Sequence, residues 1–411
     1  MNPTPDYSAA YVEITDGDGR SGEGLVFTIG RGNEVVVAAL DALRGHVEAL
    51  DLPVALADMG ETYRRLVHDS PLRWLGPEKG VMHMAIGAVV NALWDLRCRI
   101  AGEPLWRHVG LLPVDEIVDL VDFRHLTDRL TVTAARDLLT VAEPGRRERA
   151  AELERDGYPA YTTTPGWLGY DDDTMVRLCR EAVAAGFGQI KLKVGASLDA
   201  DRRRLKIARD VVGPDVRIAV DANQCWDVAE AITWVEALAE FDPAWVEEPT
   251  SPDDIQGHAA IAAAVAPIPV ATGEHLANRV LAKQFLASGA VQVLQMDATR
   301  VGGLNENVAI LLLAAQAGVP VCPHAGGVGL CELVQHLAML DFVAVSGSQD
   351  GRLIEWADHL HEHFVDPAVV RDGRYVAPTG PGTGARIRRE SLVAHEFPHG
   401  SAWSADEATT R

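Results

Sequence analysis

The chain has 411 residues, 47% hydrophobic and 23% charged, with 37 basic against 59 acidic side chains and a formal net charge of −22. This is globular composition, enough at about 150 residues per domain for two or three domains, or for one barrel with a smaller partner. The acidic balance and the lack of a Lys/Arg run exclude a nucleic-acid binder, and no uninterrupted apolar run reaches the ~18 residues of a membrane span.

The first residues, MNPTPDYSAAYVEITDG, carry neither the basic nor the apolar region of a signal peptide. Residues 1–115 read as an α+β domain. AAYVEITD and GEGLVFTIG alternate on either side of GDGRS, a hairpin signal. The glycines of GEGLVFTIGRG lack the strand–glycine–helix context of a nucleotide loop. Helical runs follow, VVVAALDALRGHVEAL and MHMAIGAVVNALWDLRCRIAG, the second closing on Gly102. Between them Trp74 reads as lid support or as core. Residues 116–154, with EPGRRERAAELERDG, read as a helical connector with a solvated face.

From 155 to 370 strands and helices alternate. The strands are AYTTT, QIKLKV, RIAVDAN, AWVEEP, PVATGE, VLQMDAT, VPVCPH and RLIEW. Strict alternation predicts a parallel sheet, and eight strands in this length favour a closed barrel. Residues 371–411, rich in Gly and Pro, are expected to return to the first domain. Five cysteines, Cys98, Cys179, Cys225, Cys322 and Cys331, show no C-x-x-C spacing. A reducing, cytoplasmic setting is expected, with Cys322 and Cys331 as packed small residues.

The barrel strands carry Lys191, Lys193, Asp221, Glu247, Glu274, Asp297, His324 and Glu355. From Lys193 they recur at intervals of roughly 23 to 31 residues, about one βα unit, so they converge at the mouth where all strands end. Strand alternation puts Lys191 and Lys193 on one face. Two inward lysines repel and are costly to desolvate, which lowers their pKa and suits a general base. A lone K-x-K is more often a surface pair.

Asp221, Glu247 and Glu274 come from three consecutive strands, with Asn223 on the face of Asp221. Singly each could cap the helix that follows; together they need a cation, and an all-oxygen set selects Mg²⁺. Alternation places Glu248 on the other face, outside the metal shell. Asp297 beside His324 fixes the imidazole tautomer and favours its protonated form, an acid or base opposite the lysines. Glu355, if kept protonated, could donate to a developing oxyanion. The set describes removal of a proton α to a carboxylate, with a metal-stabilised enediolate. A second metal site at His359, His361 and His363 is set aside for want of a base on a long helix.

The motifs IKLKVGA, VDANQCWD, WVEEPTSPDDIQGHA, ATGEH, RVGGLNEN and CPHAGGVGLCELVQHLA resemble the enolase superfamily, mandelate racemase subgroup. With WLGPEKGVMHMAIGAVVNALWDL and YPAYTTTPGWLGY, nearly the whole chain is similar to the L-fuconate dehydratases. The resemblance implies a modified (β/α)7β TIM-type barrel under an α+β capping domain, built from the N-terminal region and the C-terminal tail. It implies Mg²⁺-dependent dehydration of L-fuconate to 2-keto-3-deoxy-L-fuconate, a small sugar acid as partner, and association of identical chains.

By the same resemblance Lys193 takes the C2 proton, while Lys191 contacts the substrate carboxylate and tunes Lys193. Asp221, Glu247 and Glu274 hold Mg²⁺, and Asn223 and Glu274 also touch substrate. His324, oriented by Asp297, protonates the departing 3-hydroxyl; His324, Ala325 and Gly326 line the site. Glu355 stabilises the enediolate, and Tyr7 reaches substrate from the capping domain. Relatives carry roughly 25 further residues before the stretch matching MNPTPDYSAAYV. The chain is therefore expected to begin, at a misassigned start, inside the first capping strand and lid loop. Two alternatives stay open. One is another dehydratase or a racemase, with Lys193 and His324 on opposite faces of the α-carbon. The other is a catalytically silent binding or regulatory barrel, against which the cost of keeping buried charge argues.

Overall fold

The structure, a computed structural model, describes residues 6–76 and 78–403. Met1 to Pro5, and with them the expected upstream strand, lie outside the described residues. Strands β1 (Ser8–Thr15) and β2 (Ser21–Thr28) form an antiparallel hairpin with Ser8 opposite Thr28. The Asp16 carboxylate closes its turn, accepting the Asp18 and Arg20 N–H groups at 2.9 and 2.8 Å. One face of β2 lies flat on the helix Gly80–Ala101. A Cβ on Gly22 would sit 2.2 Å from the Ala92 carbonyl, and one on Gly24 2.1 Å from that of Ala88. The GEG glycines are spacers that let a strand touch a helix backbone.

The barrel strands are β3 (Tyr158–Thr162), β4 (Gln189–Lys193), β5 (Arg217–Asp221), β6 (Val246–Glu247), β7 (Val270–Thr272), β8 (Val293–Leu294) and β9 (Ile354–Trp356). From β3 to β8 neighbours pair in chain order, all parallel, and β9 pairs with β3. Between β8 and β9 the segment around Val321 takes a strand's place. Leu294 N–H donates to the Pro320 carbonyl and Cys322 N–H to that of Leu294, at 3.0 and 2.8 Å. Its seam with β9 is made by side chains: Leu353 N–H meets Cys322 Sγ at 3.4 Å, and Ala325 N–H donates to Glu355 Oε2 at 2.7 Å. All eight strands of the sequence reading therefore have a position in a parallel α/β barrel, several of them much shortened.

A short antiparallel pair, β10 (Val370–Arg371) and β11 (Arg374–Tyr375), adds to the start of β3. The chain then crosses back to the first domain. Thr383 N–H donates to Asp95 Oδ1 at 2.6 Å, and Arg386 pairs with Glu23 at 3.0 Å. The charged connector is not simply solvated. Arg146 is buried and donates to the Leu112 and Leu139 carbonyls, while Arg149 donates to that of Val343. Val343 lies in a π-helical turn, Asp341–Ser346, whose wider spacing leaves carbonyls for these arginines.

The hairpin presses onto the barrel through two more glycines. A Cβ on Gly327 would fall 2.6 Å from the Phe27 ring, and one on Gly329 2.7 Å from Leu25. Elsewhere, fully buried Arg279 bridges Glu78 (2.9 Å), Asp122 (2.9 Å) and Glu306 (3.2 Å), and His83 meets Glu306 at 2.5 Å. Trp74 is 91% exposed and belongs to no core. Among the described residues no helix is long and apolar enough to cross a membrane.

Gly24→Ala, which drives a methyl into the Ala88 carbonyl, should destabilise the protein by about 1–3 kcal/mol, read as a lower urea midpoint. Gly188→Ala, with nothing within 4 Å of the new Cβ, should leave the midpoint unchanged.

Candidate active site

Parallel register places Lys193 beside Asp221 and Asp221 beside Glu247 at the ends of β4, β5 and β6. Lys191 is buried and its Nζ donates to Glu247 at 2.5 Å and meets Glu355 at 2.9 Å and Asp221 at 3.4 Å. It also lies 5.7 Å from the centroid of the Tyr161 ring. Lys193 donates to Asp221 Oδ2 at 2.5 Å. The other oxygen of Glu247 accepts from Trp245 Nε1 (3.0 Å) and Gln295 Nε2 (2.7 Å).

Two ammonium groups thus face three buried carboxylates, and burial and the neighbouring charges together set the protonation states. Burial alone would push Asp221 up, but Lys193 and Lys191 outweigh it and hold Asp221 well below the usual carboxylate range. Burial, with Asp221 and Glu355 nearby, pushes Glu247 up to about 8 despite Lys191. The lysines do not behave as their mutual repulsion suggested. Burial does work to lower both. Glu247 and Glu355 nonetheless raise Lys191 well above its ordinary value, and Asp221 raises Lys193. Glu355 is likewise not held protonated. Burial would raise it, but Lys191 and His324 keep it ionised, and it accepts the Ala325 N–H.

On the other side, His324 Nδ1 contacts Asp297 at 2.9 Å and its Nε2 lies 3.5 Å from Glu274. Asp297 is itself fixed by the N–H groups of Thr299 and Arg300 at 2.6 and 3.0 Å. Burial lowers the imidazole pKa, but Glu274 and Asp297 overcome it and raise His324 to about 10. The Gly326 N–H, 3.2 Å from Nε2, suits only a neutral ring; two carboxylates outweigh that one dipole. Ala325 and Gly326 follow His324 directly, with their N–H groups 2.7 Å from Glu355 Oε2 and 3.2 Å from His324 Nε2.

Glu248 is where strand alternation misleads. β6 ends at Glu247, and Glu248 has a left-handed φ of 43°. Its buried carboxylate meets His275 Nδ1 (2.8 Å) and Gln224 Nε2 (2.9 Å), and His275 Nδ1 lies 3.3 Å from Glu274. Ligand atoms of Glu248, Glu274 and His275 all fall within 4.8 Å of one another. Asn223 and Gln224 are also left-handed, with φ 47° and 64°. Asn223 N–H donates to Asp221 Oδ1 at 2.9 Å, and its amide reaches Glu248 at 3.5 Å. Such strain clusters at functional sites. Asp221 and Glu247 are thus joined through Lys191, and Glu274 through Glu248 and His275. The sequence reading set Glu248 aside and did not name Gln224, His275 or Arg300, whose Nε donates to the Glu274 carbonyl at 3.2 Å. Gln224 and His275 stand inside the motifs VDANQ and ATGEH, which was the available signal. An oxygen-dominated donor set in which burial, with neighbouring carboxylates, pushes Glu247 and Glu274 upward suits a hard divalent cation.

Tyr7 on the cap lies near enough to Lys193, Glu355 and Glu274 to feel their charge, and burial raises its phenol pKa. Its ring stacks on His359 with centroids 4.6 Å apart. His359 and His363 do not face together on a helix: the segment is a single 3-10 turn, His361–His363. His361 goes to Glu332 at 2.7 Å and His363 to Ser391 at 3.0 Å.

A family model described as Enolase C-terminal domain-like matches residues 174–391. The chain is 49% identical over 407 residues to mitochondrial enolase superfamily member 1 of Homo sapiens, covering 98% of this chain and 92% of that one. The crystal structure of that human protein superposes with a TM-score of 0.95, covering 97% of this chain and 92% of the other. The L-galactonate dehydratase of Hypocrea jecorina is 48% identical over 416 residues, covering 99% and 92%. The L-talarate/galactarate dehydratase of Salmonella typhimurium LT2, solved with Mg and L-lyxarohydroxamate, is 26% identical with a TM-score of 0.73, covering 94% and 88%.

His324, raised to about 10 in the fold against about 6.5 for a free imidazole, stabilises the native state fully below about pH 6.5. That stabilisation is lost progressively as pH rises from about 6.5 through about 10, because over this window the folded form holds the proton that the unfolded form has released. In EDTA, denaturation between pH 7 and 10 should show the native protein losing stability more steeply than His324→Gln, by over ~1 kcal/mol across the window.

Proposed function

The chain belongs to the enolase superfamily, and on that premise we propose that it is a Mg²⁺-dependent acid-sugar dehydratase. The observation that carries this is the pairing of Lys193, set against Asp221, with His324, set against Asp297, about one carboxylate cluster. Asp221, Glu247 and Glu274 would hold the cation, and Glu248 and His275 would orient Glu274. When bound, the ion supplies Lewis-acid stabilisation of the enediolate formed from the substrate carboxylate. Lys193 takes the C2 proton once Asp221 is engaged elsewhere and no longer holds its ammonium form. Lys191, kept charged by Glu355, binds a carboxylate oxygen. His324, kept protonated, gives its proton to the departing 3-hydroxyl, and the resulting enol becomes the 2-keto-3-deoxy acid. Asn223 and Tyr7 complete the substrate contacts. Glu355 is assigned to holding Lys191 and the Ala325 N–H, not to donating a proton.

For the substrate we favour aldonates of the L-galacto configuration. The Hypocrea jecorina relative is named for L-galactonate. L-Fuconate, to which the motifs point, is 6-deoxy-L-galactonate and shares its C2 to C5 stereochemistry. One reading therefore covers both, with L-galactonate first. Racemisation is the second reading, because Lys193 and His324 could serve opposite faces of one carbon. Five free cysteines, four of them buried, fit work in a reducing compartment such as the cytoplasm. A homo-oligomer is expected.

The test is incubation with Mg²⁺ and L-galactonate, L-fuconate or galactarate, with assay of the 2-keto-3-deoxy product. Turnover of the two L-galacto acids is expected. Epimer without keto acid would replace dehydration with racemisation. Lys193→Ala should lower kcat by about 10²–10⁴-fold, and EDTA should abolish turnover, restored by Mg²⁺.

A further inference from the structure

Of the three histidines that follow β9, two are committed within the fold. His361 uses both ring nitrogens, on Glu332 (2.7 Å) and the Ala357 carbonyl (3.0 Å), and stacks on Trp356 at 4.4 Å. His363 bonds the Ser391 hydroxyl at 3.0 Å. His359 differs. Its Nε2 is shielded from solvent and has no hydrogen-bond partner among the described residues. A buried, unpaired ring nitrogen costs free energy unless a ligand completes it.

Its position says which ligand. The His359 ring lies almost parallel to Tyr7, 17° between planes. Tyr7 leans on Phe27 at 5.8 Å, and Phe27 packs on Gly327, three residues after His324. Tyr7 itself lies within the field of Lys193, Glu355 and Glu274. Tyr7 from the cap and His359, three residues beyond β9, thus stack beside the mouth, both within the field of Glu355.

We propose that His359 is a specificity-determining residue, whose Nε2 hydrogen-bonds a substrate hydroxyl well beyond the two reacting carbons, at C5 or C6 of the acid sugar. The assignment rests on the acid-sugar reading above. Burial and the neighbouring His361 lower the pKa of His359, so the ring is neutral and offers one donor and one acceptor, matching a hydroxyl.

The experiment uses the full chain with Mg²⁺ in a Lys193→Ala background, which blocks turnover. Calorimetry compares L-galactonate with a four-carbon aldonate of the same C2 and C3 configuration. His359→Phe, which keeps the stacked ring and removes the nitrogen, should weaken L-galactonate about 10–100-fold. The four-carbon acid should change by less than about threefold, and His359→Gln should recover most of the loss. Equal weakening of both acids would make His359 a packing residue and overturn the assignment, as would no change in either. If the Lys193→Ala parent binds neither acid, the acid-sugar reading fails and takes this one with it.

Discussion

Lys191 is the centre on which the barrel mouth depends. One buried ammonium contacts carboxylates from three strands, Asp221, Glu247 and Glu355, all within 3.4 Å. Breaking such a cluster at one member leaves an uncompensated buried charge, typically worth several kcal/mol. The ring is also thin there. β6 and β8 are two residues long, and the seam beside β9 is closed by Cys322 and Glu355 rather than by a backbone ladder. Short strands free the following residues to turn, and Asn223, Gln224 and Glu248 use that freedom to bring side chains over the mouth. The same economy of pairing that weakens the sheet makes room for the chemistry.

The cap is held to the barrel in two ways that differ in kind. Phe27 and Leu25 fit against Gly327 and Gly329, a contact set by the absence of side chains. Arg279, fully buried among Glu78, Asp122 and Glu306, is a charge network whose members come from both parts of the chain. Asn278, beside Arg279, also donates to the Glu78 carbonyl at 2.8 Å. It caps the helix Arg279–Ala287, four residues beyond Glu274. The cap and the loop that carries Glu274 therefore meet at a shared junction through Asn278, Arg279 and Glu78.

Much of this was legible in the residues. Alternation of β and α segments named the barrel, and the recurrence of ionisable residues at strand ends named Lys191, Lys193, Asp221, Glu247, Glu274, Asp297, His324 and Glu355 as one group. The reading went astray where a local rule was applied past the end of its element. Alternation sent Glu248 outward, but a left-handed residue after a two-residue strand obeys no alternation. Repulsion and desolvation of neighbouring lysines suggested lowered pKa values, but carboxylates from other strands outweigh the burial of Lys191 and of Lys193. The arginines of the connector looked solvated because the π-turn they serve lies some two hundred residues away.

The sequence by itself determined the strand order, the identity of the ionisable groups and the faces that β4 and β5 present. These follow from periods of a few residues and from the length of a βα unit. Which charge neutralises which is settled by the folding of distant segments together. Which carboxylate lies on Lys191, which carboxylates pair with His275, and which of three adjacent histidines keeps an unpaired nitrogen are all contacts between segments distant in the chain. The physical reason is that charge interactions depend on separation in space and on local burial, and neither is encoded in the spacing of residues along one strand.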